Sequence, residues 1–376
     1  MVSIVALTAV LLGAVLIGLV TLGGILRPKP DPQWQPAAAP TGASPSVDST
    51  PESSQEITMS ATGDIVLGNV PDRLPPNGGA GFFDSVTETL AADLVMGNLE
   101  EPLTVDTGTG KCGADSTQCH QFRAPPEYAA HLRDAGFMLL NQANNHGYDF
   151  GEAGYRNTQQ ALEEHGLAHT GARDQITVLD VEGVTVAVAG FSAYSPPNNS
   201  LIDLDAAAEV VRRADEQADL VVVQVHMGGE GSDLTRVTPG TELFLGENRG
   251  DPMAFSHAMI DAGADLIVGH GPHVLRGMEF YQGRLIAYSL GNFAGGGGTL
   301  SSNGRLGWGG VLKVSLTRDG EWTGGEFLST YMNGNGLPTP DEEGRGLGLV
   351  RELSELDFPQ TGPRFGDDGS ISPPSN

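Results

Sequence analysis

Four times this chain passes through a helix-like stretch into Ala-Asp or Ala-Gly, then a short apolar run, then a polar residue set in a Gly- or Asn-rich turn. The runs are Leu94-Val95-Met96 leading to Asn98 and Glu100, residues 137–140 leading to Asn144, Asn145 and His146, residues 220–223 leading to His226, and residues 266–268 leading to His270 and His273. A fifth run, residues 57–62, ends at Gly63-Asp64. Short continuous apolar runs that follow helices read as buried strands of an α/β sheet. Ligands of such sheets gather at the carboxyl ends of the strands, so the pattern carries Asp64, Glu100, Asn145, His146, His226, His270 and His273 to one edge. A lone histidine at a strand end is more often a satisfied structural residue, but five strand ends that deliver one chemistry point to a metal site. Carboxylate, amide oxygen and imidazole together suit Mn, Fe or Zn, and the lack of Cys in the set argues against a soft, closed structural site.

Two Gly-bounded hairpins add antiparallel strands, one over residues 178–189 through Glu182-Gly183 and one over 274–289 through Gln282-Gly283. The sheet is therefore expected to be mixed. No Walker loop, serine nucleophile elbow or GxGxxG fingerprint stands at a strand-to-helix junction.

Composition narrows the partners. Forty-seven Asp and Glu against 20 Lys and Arg give a formal charge of -27, which repels polyanions and argues against nucleic acid. Hydrophobic residues at 39% are enough for a sizeable core, which excludes wholesale disorder. Cys112 and Cys119, with six residues between them in a polar segment, suit a loop-closing disulfide in an oxidising compartment; the alternative is two free thiols. A zinc site built on them needs further ligands, and His120 is the only obvious one.

At the N-terminus, residues 2–26 run 25 positions without a charge, long enough at about 1.5 Å per residue to cross a hydrocarbon core of roughly 30 Å. Residues 1–26 are read as a transmembrane anchor, with a cleaved signal peptide as the alternative. Arg27 and Lys29 after the span favour a cytoplasmic domain by the positive-inside tendency, whereas the Cys pair and the following segment favour export. The expectation adopted is a single-pass cell-membrane protein with an extracytoplasmic domain. Residues 27–55, rich in Pro, Ala and Ser, are expected to be an extended linker. Residues 56–333 are the expected folded domain. Residues 334–376, acidic and rich in Gly and Pro, are expected to be largely disordered around one short helix with Leu349, Leu353 and Leu356.

Six motifs stand in order: GDIVLG at 63–68, NLEEPLT at 98–104, ANNHGYDFG at 143–151, VHMGGE at 225–230, GHGPHVL at 269–275 and YSLGNF at 288–293. This order resembles the capsule-synthesis CapA family, linked to poly-γ-glutamate capsules, and the likeness covers about residues 57–332. It implies a calcineurin-like metallophosphoesterase fold, an α/β two-sheet sandwich flanked by helices, with one or two divalent ions at the sheet ends. By the same likeness Asp64 is a metal ligand, Glu100 takes the bridging position, Asn145 binds the second metal, and His226, His270 and His273 complete the shell. His146 faces the substrate, to stabilise phosphoryl charge or protonate a leaving group, while Asp149 fixes its tautomer.

Two departures bear on this. The wider superfamily has a His two residues after the first Asp where this chain has Val66, which leaves one metal short of a ligand. The usual Trp after the His226 position is Met227, and Glu230 is either a general acid or a plain surface charge. The resemblance implies a metal-dependent hydrolase using activated water on a phosphoester or a γ-glutamyl polymer. The alternatives are a non-catalytic subunit that binds polymer or the membrane synthase, and a surface metal-binding domain of unrelated role. An anionic polymer would need metals, or arginines such as Arg123 and Arg276, to offset the acidic surface.

Overall fold

In the first half of the Glu56–Val66 strand every second residue, Ile57, Met59 and Ala61, is buried in one apolar cluster together with Val184, Val186, Val188, Leu220 and Val222. That alternation is the signature of a strand with one face against another sheet. The computed structural model describes residues 55–375 apart from 109 and 114–118, so the expected anchor at 1–26 and nearly all of the linker lie outside the described residues. Among the described residues no helix is long and apolar enough to cross a membrane.

In chain order the strands are β1 (Glu56–Val66), β2 (Leu94–Leu99), β3 (Leu139–Asn141), β4 (Ala168–Thr170), β5 (Thr177–Val181), β6 (Val184–Ser192), β7 (Asn199–Ser200) and β8 (Leu220–His226). There follow β9 (Leu243–Phe244), β10 (Glu247–Asn248), β11 (Leu266–His270), β12 (Met278–Tyr281), β13 (Arg284–Ala287) and β14 (Asn292–Gly295). The last are β15 (Trp308–Thr317), β16 (Trp322–Met332), β17 (Pro338–Pro340), β18 (Arg364–Phe365) and β19 (Ile371–Ser372). The helices are α1 (Thr87–Leu90), α2 (Ala129–Asp134), α3 (Gly151–Glu164), α4 (Leu204–Asp215), α5 (Pro252–Asp261) and α6 (Arg345–Asp357).

One sheet runs β17-β16-β15-β1-β2-β3-β4, with β14 also paired to β1; the other runs β12-β13-β11-β8-β6-β5, with β7 paired to β6. In the first, β1 to β4 are parallel and β15 joins β1 antiparallel. In the second, β6, β8, β11 and β13 are parallel, with antiparallel strands β5 and β12 at its edges. The mixed sheets expected from the two hairpins are present. Both hairpins turn through two residues of positive φ, Glu182-Gly183 and Gln282-Gly283, the geometry that matches strand twist.

Helices cover both outer faces. Val95, Leu99 and Leu140 pack with Leu132 of α2 and Leu162 of α3, while Val221, Val223 and Val225 pack with Val211 of α4 and Phe255 and Met259 of α5. Helices α4 and α5 begin at Asp203 and Asp251, whose side chains accept from the amides of Ala206 and Ala254 at 3.1 and 2.9 Å.

The segment beyond residue 333 corrects the sequence expectation of a largely disordered tail. It forms β17, α6 and the β18–β19 pair, and α6 buries Leu349, Val350 and Leu353 against the core. Low-complexity composition hid a helical stripe completed by Gly346 and Ser354, small residues that allow close approach. Each fully buried Leu or Val on that stripe contributes about 1.5–3 kcal/mol relative to exposure. Leu356, expected on the same face, is 53% exposed.

Candidate metal centre

The carboxyl ends of the strands present polar residues in two registered rows. On the first sheet Asn292, Asp64, Asn98, Asn141 and Thr170 stand side by side. On the second, Ser192, His226 and His270 do the same. Between β1 and β2 the register shifts from Ala61↔Met96 to Asp64↔Asn98, so β1 carries one extra residue just before its aspartate. Such a bulge re-aims the next side chain.

The segment from Tyr288 to Asn292 clamps the two rows together. The Asp64 amide donates to Gly291 O at 2.9 Å, and the Leu290 amide donates to Gly269 O at 3.2 Å. Gly63 and Gly269, the residues before Asp64 and His270, are required here: a Cβ at Gly63 would collide with the Gly291 carbonyl, and one at Gly269 with the Tyr288 carbonyl.

At this junction Asp64, Glu100 and His226, all buried, each offer a ligand atom within 4.8 Å of the others. His270 Nδ1 lies 3.8 Å from Asp64 Oδ1, His273 Nδ1 lies 3.2 Å from Asp64 Oδ2, and His273 Nε2 lies 3.5 Å from Glu100 Oε1. His273 has a left-handed backbone (φ 59°), and its Nδ1 is 2.8 Å from Asn292 Oδ1. Asn98 Nδ2 donates to Asp64 Oδ1 at 2.8 Å.

Whether these residues fit a metal can be read from what they lack. Both oxygens of Glu100, Asn145 Oδ1 and both ring nitrogens of His226 and His270 are buried with no hydrogen-bond partner. Leaving one such group unsatisfied costs about 1–3 kcal/mol, more for a charge. A cluster of unsatisfied acceptors of mixed O and N type is what a divalent ion satisfies. The residues fit the group.

The electrostatics agree. Burial raises the Asp64 carboxyl, but a hydrogen bond and charge from His273, with His226 and His270 adding, hold it well below the usual carboxylate range. Burial pushes Glu100 well up, aided by the Asp64 and Glu230 charges and opposed by His273 and Arg249. Burial drives His226 well down and brings His270 to about 4, in both cases against Asp64. His273 goes the other way: burial disfavours its charge, yet Glu100, Asp64 and Glu230 outweigh that and raise it well above its ordinary value.

Beside this centre His146 Nδ1 lies 2.7 Å from Asp149 Oδ2. Asp149 also accepts from the Phe122 amide at 2.6 Å, and its Oδ1 is 2.6 Å from Lys111 Nζ. The Phe122 ring lies 4.4 Å from that of His146. Burial lowers the His146 pKa, opposed by the hydrogen bond and charge of Asp149, with Lys111 and His273 adding to the lowering. The cysteines of the neighbouring loop form a disulfide, Cys112–Cys119, which removes them as zinc ligands.

Asn145, His146 and Glu230 open onto a cleft of about 750 Å³ whose walls include Lys111, Tyr194, Phe244 and Arg249. Glu230 is therefore no plain surface charge: Arg249 Nη1 is 2.8 Å from its Oε1, and His273 Nε2 is 3.8 Å from its Oε2.

Of the residues singled out from sequence, Asp64, Glu100, His226, His270 and His273 come together at one point. Asn145 joins them through Glu230, and His146 with Asp149 forms a separate pair at the cleft. Arg123 and Arg276 do not line it. Arg276 is buried in a bidentate pair with Glu242, both contacts at 2.8 Å, and Arg123 lies 5.0 Å over the Phe150 ring. Sequence reading missed Lys111 and Arg249, which sit outside the strand pattern that marked the other residues.

A two-sheet α/β sandwich with helices on both faces and a buried carboxylate–imidazole cluster at its strand ends defines a protein with a candidate divalent-metal site. Its family follows from sequence: residues 58–296 match the bacterial capsule synthesis protein family PGA_cap, and the chain belongs to that family. It is 32% identical over 260 residues to the capsule biosynthesis protein CapA of Bacillus anthracis, covering 64% of this chain and 60% of that protein. It is 31% identical over 255 residues to the PGA biosynthesis protein CapA of Bacillus subtilis (strain 168), covering 63% of each. The chain thus spans somewhat under two thirds of the length of these relatives. The backbone is also similar to that of a putative 5'-nucleotidase from Staphylococcus aureus, with a TM-score of 0.41 at 14% identity, over 80% of this chain and 58% of that one.

Proposed function

We propose that this chain is a metal-dependent hydrolase of capsule or poly-γ-glutamate synthesis, built on a calcineurin-like sandwich. In this reading it acts on a phosphoester or on the γ-glutamyl polymer outside the cytoplasm, tethered by its N-terminal apolar segment. The observation that carries the proposal is the convergence of unsatisfied buried polar atoms from Glu100, Asn145, His226 and His270 beside the Asp64 carboxylate. With His273 they would hold one or two divalent ions, of Mn, Fe or Zn type. A divalent ion there supplies Lewis-acid polarisation of a phosphoryl or carbonyl oxygen and activates water near neutral pH.

The chain's own residues supply the rest. Asp149 takes the Nδ1 proton of His146 as a hydrogen bond, which leaves Nε2 as the atom that gives or takes a proton at the cleft. Lys111 and the Phe122 amide keep Asp149 in place. The disulfide supports an oxidising compartment.

A second reading, a non-catalytic subunit of a membrane capsule synthase or export complex, is favoured by Val66, a fully buried side chain with no ligand atom where the superfamily resemblance calls for His. Metal analysis followed by assays on phosphoester and poly-γ-glutamate panels separates the two. Turnover that needs the metal supports the hydrolase, and a metal-loaded protein inert on both panels supports the scaffold.

A further inference from the structure

Asn145 can ligate a metal through its amide oxygen only if its amide nitrogen points away, and the two orientations differ little in shape. Something must choose between them. Asn145 Nδ2 donates to Glu230 Oε1 at 3.3 Å, while Asn145 Oδ1 is buried with no partner. A carboxylate accepts and cannot donate, so Glu230 admits only the nitrogen on its side. Glu230 is in turn held by Arg249, whose side chain is 4% exposed and whose guanidinium lies 5.3 Å from the Tyr194 ring and 5.2 Å from the Phe244 ring. Glu247 pairs with the same guanidinium at 3.2 Å. The Asn145 main chain is fixed independently, because Lys111 Nζ donates to its carbonyl at 3.1 Å.

We propose that Glu230 is a positioning residue, braced by Arg249 against the aromatic wall of the cleft, that sets the Asn145 amide with its oxygen toward the metal centre. The inference rests on the metal reading above and goes beyond it, because it gives a function to a glutamate whose role was open between general acid and surface charge. The strut Arg249–Glu230–Asn145 also links the cleft wall to the centre: the Tyr194 and Phe244 rings that hold Arg249 are themselves part of the wall a substrate would meet.

The test is metal titration of the full chain, stripped of metal, with Mn and with Zn, on wild type, Glu230→Ala and Glu230→Gln, alongside thermal melting of the metal-free proteins. Glutamine keeps a carbonyl oxygen, and the donor-only Arg249 Nη1, 2.8 Å from the same Oε1 position, would hold that oxygen rather than the amide nitrogen toward Asn145 Nδ2, whereas alanine removes the acceptor. The expected result is a 10- to 100-fold loss of affinity at one site in Glu230→Ala, the range typical of partners behind a metal ligand, with Glu230→Gln within about threefold of wild type. Melting of the metal-free variants should follow no such order. Wild-type affinity in Glu230→Ala overturns the proposal, and so does an equal loss in both variants. A wild type that binds metal but turns over nothing leaves this inference standing and sinks the hydrolase reading; a wild type that binds no metal sinks both.

Discussion

His146 and Asp149, three residues apart, meet at 2.7 Å between Nδ1 and Oδ2, and the carboxylate is fully buried between Lys111 and the Phe122 amide. The pair borders the metal centre without belonging to the cluster of Asp64, Glu100 and His226. A ring held at one nitrogen by a buried carboxylate is oriented for proton transfer at the other.

Replacing His146 by Ala should therefore leave metal content unchanged while lowering turnover on the order of 100-fold or more, the loss expected for a general acid or base. Metal content and rate measured on one preparation check it. Full rate in the variant on every substrate the wild type turns over would remove His146 from the chemistry.

The disulfide gives a second expectation. Intact mass of protein recovered from its native host should be lower without reductant than with it by two hydrogens, for the Cys112–Cys119 bond. Because Lys111 adjoins Cys112 and reaches both Asp149 and the Asn145 carbonyl, reduction should also lower turnover. Two free thiols in the native protein would contradict the oxidising-compartment reading.

The C-terminal helix gives the third. Leu353→Ala, on the buried stripe of α6, should destabilise the protein by about 2–5 kcal/mol. Leu356→Ala, on its exposed face, should stay within about 0.5 kcal/mol of wild type. Denaturant melts of both variants decide it, and equal effects would mean that α6 does not dock as described.

How far the sequence anticipated this structure depended on periodicity. Apolar runs broken by Asp64, Glu100, His226 and His270 announced strand ends; the register of β1 with β2 sets Asp64 beside Asn98, two residues before Glu100, and that of β8 with β11 sets His226 beside His270. Helix α6 was obscured because its buried stripe mixes Leu349, Val350 and Leu353 with Gly346 and Ser354, inside a segment whose composition reads as unstructured. Arg249 and Lys111 carried no signal at all, since their roles arise from loops that tertiary packing alone brings to the cleft. Arg276 looked available in sequence, yet its guanidinium is consumed by Glu242.

A fourth prediction follows from Asp341, which receives Arg345 Nε at 2.9 Å, Ser329 Oγ at 2.8 Å and the Gly346 amide at 3.2 Å at the start of α6. Burial raises its carboxyl, but these hydrogen bonds and the Arg345 charge outweigh that and hold it below its ordinary value. A folded pKa below the unfolded one stabilises the protein above the unfolded value of about 3.9 and loses that contribution as pH falls through the folded value. Wild type should therefore melt higher than Asp341→Asn above about pH 4, with the gap closing under more acidic conditions. A gap that widens as pH falls would reverse the assignment.

The most direct test of the central claim, that five strand ends build one divalent-metal centre, is elemental analysis of the full chain after loading with Mn, Zn or Fe and exhaustive dialysis. Wild type should retain one or two ions per chain, and His226→Ala and His270→Ala should each retain less while keeping the wild-type circular dichroism. Wild type that retains none, or variants that retain as much as wild type, would contradict the account.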